Sequence, residues 1–415
     1  MRNISAQGKK CYGCSACVQI CPKKAITMKP DSITGSLYPN VNTELCILCG
    51  LCLKACPLEY APEPSILKTF AAISNCTDPR KSASGGAFSA LATKFLENGG
   101  IVYGSALLFE NNQIIIKHIG INAEENLHLL QGSKYVQSDI NGVYSEIEAS
   151  LKENKTVLFS GTPCQVAGLK SYLGKSYEHL FLVEIVCHGV PSSQFFNDYI
   201  KSIENRTGKT IIDFSFRDKS EGWKLHGKIL LKDDKGNIES RFFEPSDSSY
   251  YKLFLDGVTY RENCYSCPYA SKNRAGDITL GDFWNIDLVH PELLSVNGGV
   301  FEERKGISCL VINNSKGEEL ISKYNDALIC FQSDYDMAAK YNGQLVRPST
   351  RNERRGQVFE LYKNKGYAAV EQMHKQWLRK YRMKKKLIGL IPKPIKNIRR
   401  YVISMVGKFN YRNEE

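Results

Sequence analysis

Thiols are the side chains in this sequence best placed to do chemistry. Fifteen of its 415 residues are cysteines, and eight of these fall into one pattern used twice. Cys11-x2-Cys14-x2-Cys17-x3-Cys21 is followed by Pro22, and Cys46-x2-Cys49-x2-Cys52-x3-Cys56 by Pro57, with every element displaced by 35 residues. The x2 spacing lets one turn present three thiolates to a single centre, and the proline stops the backbone from running on into a helix. Three thiolates from one turn and a fourth that crosses from the other run is how a chain holds a pair of 4Fe–4S cubanes. The pattern therefore predicts one cluster on Cys11, Cys14, Cys17 and Cys56, and a second on Cys46, Cys49, Cys52 and Cys21. Zinc sites take their ligands two and two instead.

This is the spacing of a bacterial two-cluster ferredoxin. A further four thiols, Cys164, Cys187, Cys264 and Cys267, come from three separate loops. Four thiols suit a zinc tetrahedron or a third 4Fe–4S cluster equally, and their spacing does not choose. Cys76, Cys309 and Cys330 read as buried small hydrophobes. Cysteines grouped as metal ligands rather than as disulfide pairs predict a reducing, cytoplasmic setting.

The elements that must position the third set can be read around it. Val157–Ser160 is a short apolar run like a buried parallel strand, broken by Gly161-Thr162-Pro163, with Cys164 on the break. Gln165–Leu173 has helical spacing and ends at Gly174, and Leu180–Val186 is a second strand that runs into Cys187-His188-Gly189. A right-handed βαβ unit then puts both cysteines at the carboxyl edge of one parallel sheet, where open α/β sheets bind ligands. Upstream, Lys81-Ser-Ala-Ser-Gly85-Gly86 precedes a helix over 87–98, a loop type that can cradle phosphate. Downstream, strands over 211–216, 225–231 and 238–243 alternate in antiparallel fashion and lead to Cys264-x2-Cys267-Pro268.

The fold class predicted is mixed α+β and α/β. A two-cluster ferredoxin-like domain (1–62) precedes a mixed-sheet α/β domain in two parts (63–154 and 155–345), and a basic helical tail (346–415) follows. Pro57, Pro62, Pro64 and Pro79 mark 58–80 as a linker. The net charge is +12, but residues 374–415 hold 13 Lys and Arg against 2 Asp and Glu, so the rest is nearly neutral. A nucleic-acid-binding surface is not expected. The basic amphipathic segment 377–406 predicts peripheral contact with an anionic membrane surface or an acidic partner. The polar first ten residues predict no secretory leader, and no apolar run is long enough to span a bilayer. No GxGxxG follows a strand and there is no P-loop, which argues against a Rossmann NAD site and an ATPase.

Lys81-SASGG, Gly132-SKYVQS, Ser160-GTPCQVAGL, Cys187-HGVPS, Cys264-x2-CPYA and Gly276-DITLGDFW together resemble the beta-subunit family of coenzyme F-420 hydrogenase and dehydrogenase. The likeness runs from about residue 80 to 285 and more weakly to about 330. It implies FAD beside a 4Fe–4S cluster, with Cys164, Cys187, Cys264 and Cys267 as the ligands of that third cluster. Ser84, Gly85, Gly86, Ser133, Lys134, Thr162 and Gln165 become flavin contacts by the same resemblance. His188 and Trp284 lie near them, as contacts or as packing, and His188 is the one catalytic candidate. Nothing here supplies a nickel–iron site. The expectation is an iron–sulfur flavoprotein oxidoreductase that relays electrons between ferredoxin or reduced coenzyme F-420 and a small-molecule acceptor. The alternatives are a non-catalytic electron-transfer subunit serving a partner subunit, or an iron–sulfur protein with structural zinc and no flavin.

Overall fold

The computed structural model describes residues 3–389 except 61, 111, 112 and 141, with side chains to residue 383. Its thirteen strands form three sheets. The small N-terminal lobe holds one antiparallel pair, β1 (Ile26–Pro30) and β2 (Leu37–Val41). The main sheet takes β3 (Lys68–Ser74), β4 (Ile101–Glu110), β5 (Gln113–Ile121), β6 (Val157–Gly161) and β7 (Leu180–Ile185). A three-stranded meander follows, made of β8 (Thr210–Ser215), β9 (Gly227–Lys232) and β10 (Ile238–Phe243). The chain then returns to the main sheet with β11 (Ile278–Asp282), β12 (Ser308–Ile312) and β13 (Leu328–Ser333).

The order of the main sheet is β13-β3-β12-β11-β7-β6-β4-β5. Its centre, β4-β6-β7-β11, is parallel, and antiparallel strands flank it on both sides. The sequence explains the centre directly. β6 and β7 are continuous apolar runs because both of their faces are covered. Leu158, Phe181 and Val183 point to one core with the helix Ala87–Glu97, while Phe159, Leu180 and Leu182 point to the other with the helices Val143–Lys152 and Pro163–Leu173. Gly174 ends the last helix at φ 65°, as the glycine after its apolar run foretells.

Some expectations need correction. The segment 58–80 is not all linker: β3 lies within it and is paired on both sides, to β12 and β13. Its apolar run KTFAAIS was masked by the prolines around it, which sit outside the strand, where a missing N–H costs no ladder bond. Cys164 belongs to the first turn of the helix Pro163–Leu173 rather than to the break before it. Cys309 is buried in β12, but Cys76 is exposed. In the small lobe, the repeated motif becomes repeated structure: the short helices Ala16–Gln19 and Leu51–Lys54 each follow a left-handed residue, Ser15 and Gly50. The long helix Arg355–Gly389 kinks at Gly366 (φ 69°) and packs Val358, Phe359 and Val370 against the meander and the helix Ser193–Thr207. Residues 390–415, which hold most of the apolar residues of the basic amphipathic segment, lie outside the described residues. No helix among the described residues is long and apolar enough to cross a membrane.

Candidate functional site

Three neighbouring parallel strands, β6, β7 and β11, deliver their carboxyl ends to one cavity of about 960 Å³. After β6, Thr162 caps the next helix in a capping box: its backbone N–H donates to Gln165 Oε1 at 2.9 Å while its side chain faces the Gln165 end of the turn. The box fixes the first turn and so aims Cys164. After β7 the chain passes through Val186 to Cys187. The one-turn segment Glu262–Ser266 and the residue after it bring Cys264 and Cys267 to the same wall, so all four thiols border the cavity. Burial and neighbouring thiols push Cys164 up to about 12 and Cys264 up to about 11 and raise Cys187, while burial and the Glu184 carboxylate raise Cys267. Four thiols that resist ionising together call for positive charge among them, and this donor set fits a thiolate-ligated iron–sulfur cluster.

A buried carboxylate holds the third loop in place. Glu184 of β7, fully enclosed, accepts from Arg274 Nε, from Thr279 Oγ1 (2.9 Å) and from the backbone N–H groups of Ala275 (2.9 Å) and Gly276 (3.0 Å). Arg274 Nη1 in turn donates to the Tyr269 carbonyl at 2.6 Å. The Gly276-DITLGDFW motif thus acquires parts with distinct jobs. Gly276 allows close approach to β7, since a Cβ there would lie 3.0 Å from Leu182 O. Asp277 accepts from Leu182 N at 2.7 Å. Asp282 pairs with the buried Arg217 (2.5 Å) and accepts from Trp223 Nε1 (3.1 Å), and the Trp223 and Trp284 rings stack with centroids 5.1 Å apart. Arg217, Trp223, Arg274 and Glu184 escaped the sequence reading, because each acts through a partner distant in sequence.

The N-terminal lobe docks against this wall through its first cysteine run. Cys11, Cys14, Cys17 and, from the second run, Cys56 border one small cavity together with Tyr12 and Pro57. Burial raises the Cys14 and Cys17 thiols well above the ordinary range and Cys56 to about 11, with neighbouring thiols adding to the effect. Cys14 packs on Gly168, in the helix that Cys164 begins: a Cβ at Gly168 would meet Cys14 Sγ at 2.9 Å. Cys46 and Cys49 of the other run lie on the outer side, half-buried and exposed.

Of the expected flavin contacts, Ser84, Gly86, Ser133, Lys134, Thr162 and Gln165 border the large cavity, as do His188 and Trp284. Gly85 does not. A Cβ there would lie 2.5 Å from Ala72 O and 2.6 Å from Ser308 N, so its role is close packing on β3 and β12. Gly86 opens the helix Ala87–Glu97 at φ 87°. Lys134 Nζ donates to the carbonyls of Gln131 (2.6 Å) and Leu129 (3.2 Å), and burial lowers it to about 7. The buried His118, on the same wall, has Nε2 3.1 Å from the Ser160 carbonyl and Nδ1 2.8 Å from Ser138 Oγ. A carbonyl only accepts, so His118 carries its proton on Nε2.

Residues 154–335 match the family model for the coenzyme F-420 hydrogenase/dehydrogenase beta subunit, C terminus, and residues 10–59 match the 4Fe–4S dicluster domain. A polyferredoxin-like protein of Methanocaldococcus jannaschii is 36% identical over 55 residues, which are 12% of this chain; the chain spans about a third (33%) of that curated relative's length. Among solved structures, the xenon-derivatized F-420-reducing NiFe hydrogenase complex of Methanosarcina barkeri aligns over 72% of this chain and 93% of that chain, at 16% identity and a TM-score of 0.42.

Proposed function

We propose that this iron–sulfur chain is a flavoprotein oxidoreductase, because residues 154–335 match the family model of the coenzyme F-420 hydrogenase/dehydrogenase beta subunit and residues 10–59 that of the 4Fe–4S dicluster domain. It relays electrons between ferredoxin or reduced coenzyme F-420 and a small-molecule acceptor. The observation that carries this reading is the meeting of Cys164, Cys187, Cys264 and Cys267 on the wall of one large cavity. These four would hold a third 4Fe–4S cluster. FAD would occupy the cavity, whose volume lies at the upper end of the roughly 300–1,000 Å³ typical of ligand sites. A bound flavin supplies the conversion between single electrons and a hydride.

The chain's own residues then have separate tasks. The first residues of the helix Ala87–Glu97 border the cavity together with Ser84 and Gly86, and a helix N-terminus favours a phosphate. Lys134, held by two carbonyls, keeps a donor with a lowered proton affinity at the wall. Trp284 borders the cavity and stacks on Trp223, whose indole N–H donates to Asp282. Packing supports an order for the relay: Cys14 lies against the helix that carries Cys164, so a cluster on Cys11, Cys14, Cys17 and Cys56 would stand between the outer one and the cavity.

The test is a cofactor count on protein purified without oxygen. About twelve iron and one FAD per chain support the relay. About eight iron and no flavin reduce the chain to its ferredoxin portion, and the oxidoreductase reading falls.

A further inference from the structure

The two cysteine runs are copies, so their differences show what each copy faces. Shifting by 35 residues pairs Gly13 with Leu48 and Ala16 with Leu51. Both Gly13 (φ 74°) and Leu48 (φ 53°) have left-handed backbone, so the turn geometry is preserved while the side chain is not. In the first copy small residues are obligatory. A Cβ at Gly13 would lie 2.2 Å from Gln137 Nε2 and 2.9 Å from Arg261 Nη1, and Ala16 is wholly buried, because the large domain sits on that face. In the second copy the equivalent face carries Leu48 and Leu51 in the open, beside Leu45 and Ile47, the last 58% exposed.

An exposed leucine in left-handed backbone is costly twice over: the conformation is strained for a residue with a Cβ, and its apolar surface stays in water. Leu48 joins none of the buried apolar clusters among the described residues, the neighbouring core of the cysteine lobe included. In sequence the four apolar residues lie between and beside Cys46, Cys49 and Cys52, the run assigned to the outer cluster. Exposed lysines flank them in sequence: Lys23 and Lys24 follow Cys21 and Lys54 follows Cys52, with Glu44 and Glu59 as exposed acids of the same stretch.

We propose that Leu45, Ile47, Leu48 and Leu51, ringed by Lys23, Lys24 and Lys54, form the docking face for a small acidic one-electron carrier protein. The carrier takes at the second copy the place that the large domain takes at the first. An apolar centre with a basic rim suits a transient partner whose acidic rim steers the encounter and whose own centre lies behind apolar residues. One electron passes from the reduced carrier to the outer cluster; the carrier is oxidised, the cluster reduced, and no bond or proton moves. Such encounters bury less than about 1,200 Å², which a face of this extent supplies.

This inference rests on the electron-relay reading. The test uses the full holoprotein, immobilised without oxygen, with a small acidic two-cluster ferredoxin as the probe. Wild type should bind it with an affinity that falls at least several-fold between about 50 and about 500 mM salt. The double variant Leu48→Asp, Lys54→Glu should weaken binding at least about tenfold while keeping the reduced-cluster EPR spectrum of the wild type; Asp tolerates left-handed backbone, so the turn is spared. Wild-type binding by the variant, or no binding by the wild type, overturns the proposal. So does loss of self-association in sedimentation as the variant's only effect, since a second copy would then be the occupant. A cofactor count without flavin would defeat the oxidoreductase reading yet leave this measurement intact, because it reads only the ferredoxin portion.

Discussion

Arg261 Nε donates to the backbone carbonyl of Cys11 at 2.7 Å, joining the loop that carries Cys264 to the loop that begins the first cysteine run. The same guanidinium, 1% exposed, donates to Leu37 O at 2.6 Å and to Gln137 Oε1 at 3.2 Å and lies 4.2 Å over the Tyr38 ring. One side chain thus ties the N-terminal lobe to the cavity wall. Its charge also lies beside Cys164 and Cys264, where it favours their thiolates.

Lysine keeps that charge but not the planar fork. Charge-assisted hydrogen bonds contribute about 1.5–3 kcal/mol each, so Arg261→Lys should destabilise the chain by about 2–4 kcal/mol. The loss should appear in chemical denaturation, together with faster proteolytic cleavage between the two lobes. Unchanged stability and cleavage would mean the fork does not hold them together.

Cysteine replacement separates the ligand sets. Cys264→Ser should lower iron by about four per chain, from about twelve to about eight, and leave the ferredoxin-type EPR signals in place. Cys330→Ser, in the edge strand β13 far from the cavity wall, serves as the control and should leave iron unchanged. Equal iron in wild type and Cys264→Ser would remove the third cluster from the scheme.

At Gly168 two opposing effects can be weighed. Alanine in a helix interior is favoured over glycine by about 1 kcal/mol. Here, however, its methyl would lie 2.9 Å from Cys14 Cβ and Sγ and from Tyr144 Oη, and overpacking a tight site costs about 1–3 kcal/mol. Cys14 is backbone-anchored in a cysteine turn and cannot retreat cheaply, so Gly168→Ala should lower the melting temperature and shift the EPR spectrum of the first cluster. A higher melting temperature with an unaltered spectrum would refute this packing.

Burial lowers His118 from its ordinary 6.5 to about 4. Between those values the unfolded chain binds more protons than the folded one, so stability falls as pH drops through that window and is fully present above it. The contribution lost between about pH 7 and about pH 5 is about 2 kcal/mol. Urea midpoints of wild type should therefore fall over this range more steeply than those of His118→Gln. Parallel curves would show that the imidazole is not held neutral.

What the sequence determined by itself is whatever depends on neighbours along the chain. The eight cysteines of the double motif are singled out by their spacing, because three thiols of each run fall within a few residues of one another. β6, the helix after it and β7 are legible because a strand buried on both faces must be apolar throughout. The thiols of the third set, spread over three loops, are named as one ligand set by family resemblance rather than by spacing. The tertiary structure alone decided which residues meet. Cys164 and Cys267 are about 100 residues apart, and only the order β11-β7-β6 brings their loops to one wall. β3 was hidden in a proline-bounded stretch because its pairing partners lie more than 200 residues away in β12 and β13. The repeat did not say which cluster faces inward; the collision that any side chain at Gly13 would make with Arg261 does. Ligand spacing is a local, covalent property, whereas docking and burial are set by sheet order, and sheet order is written in no single stretch of the chain.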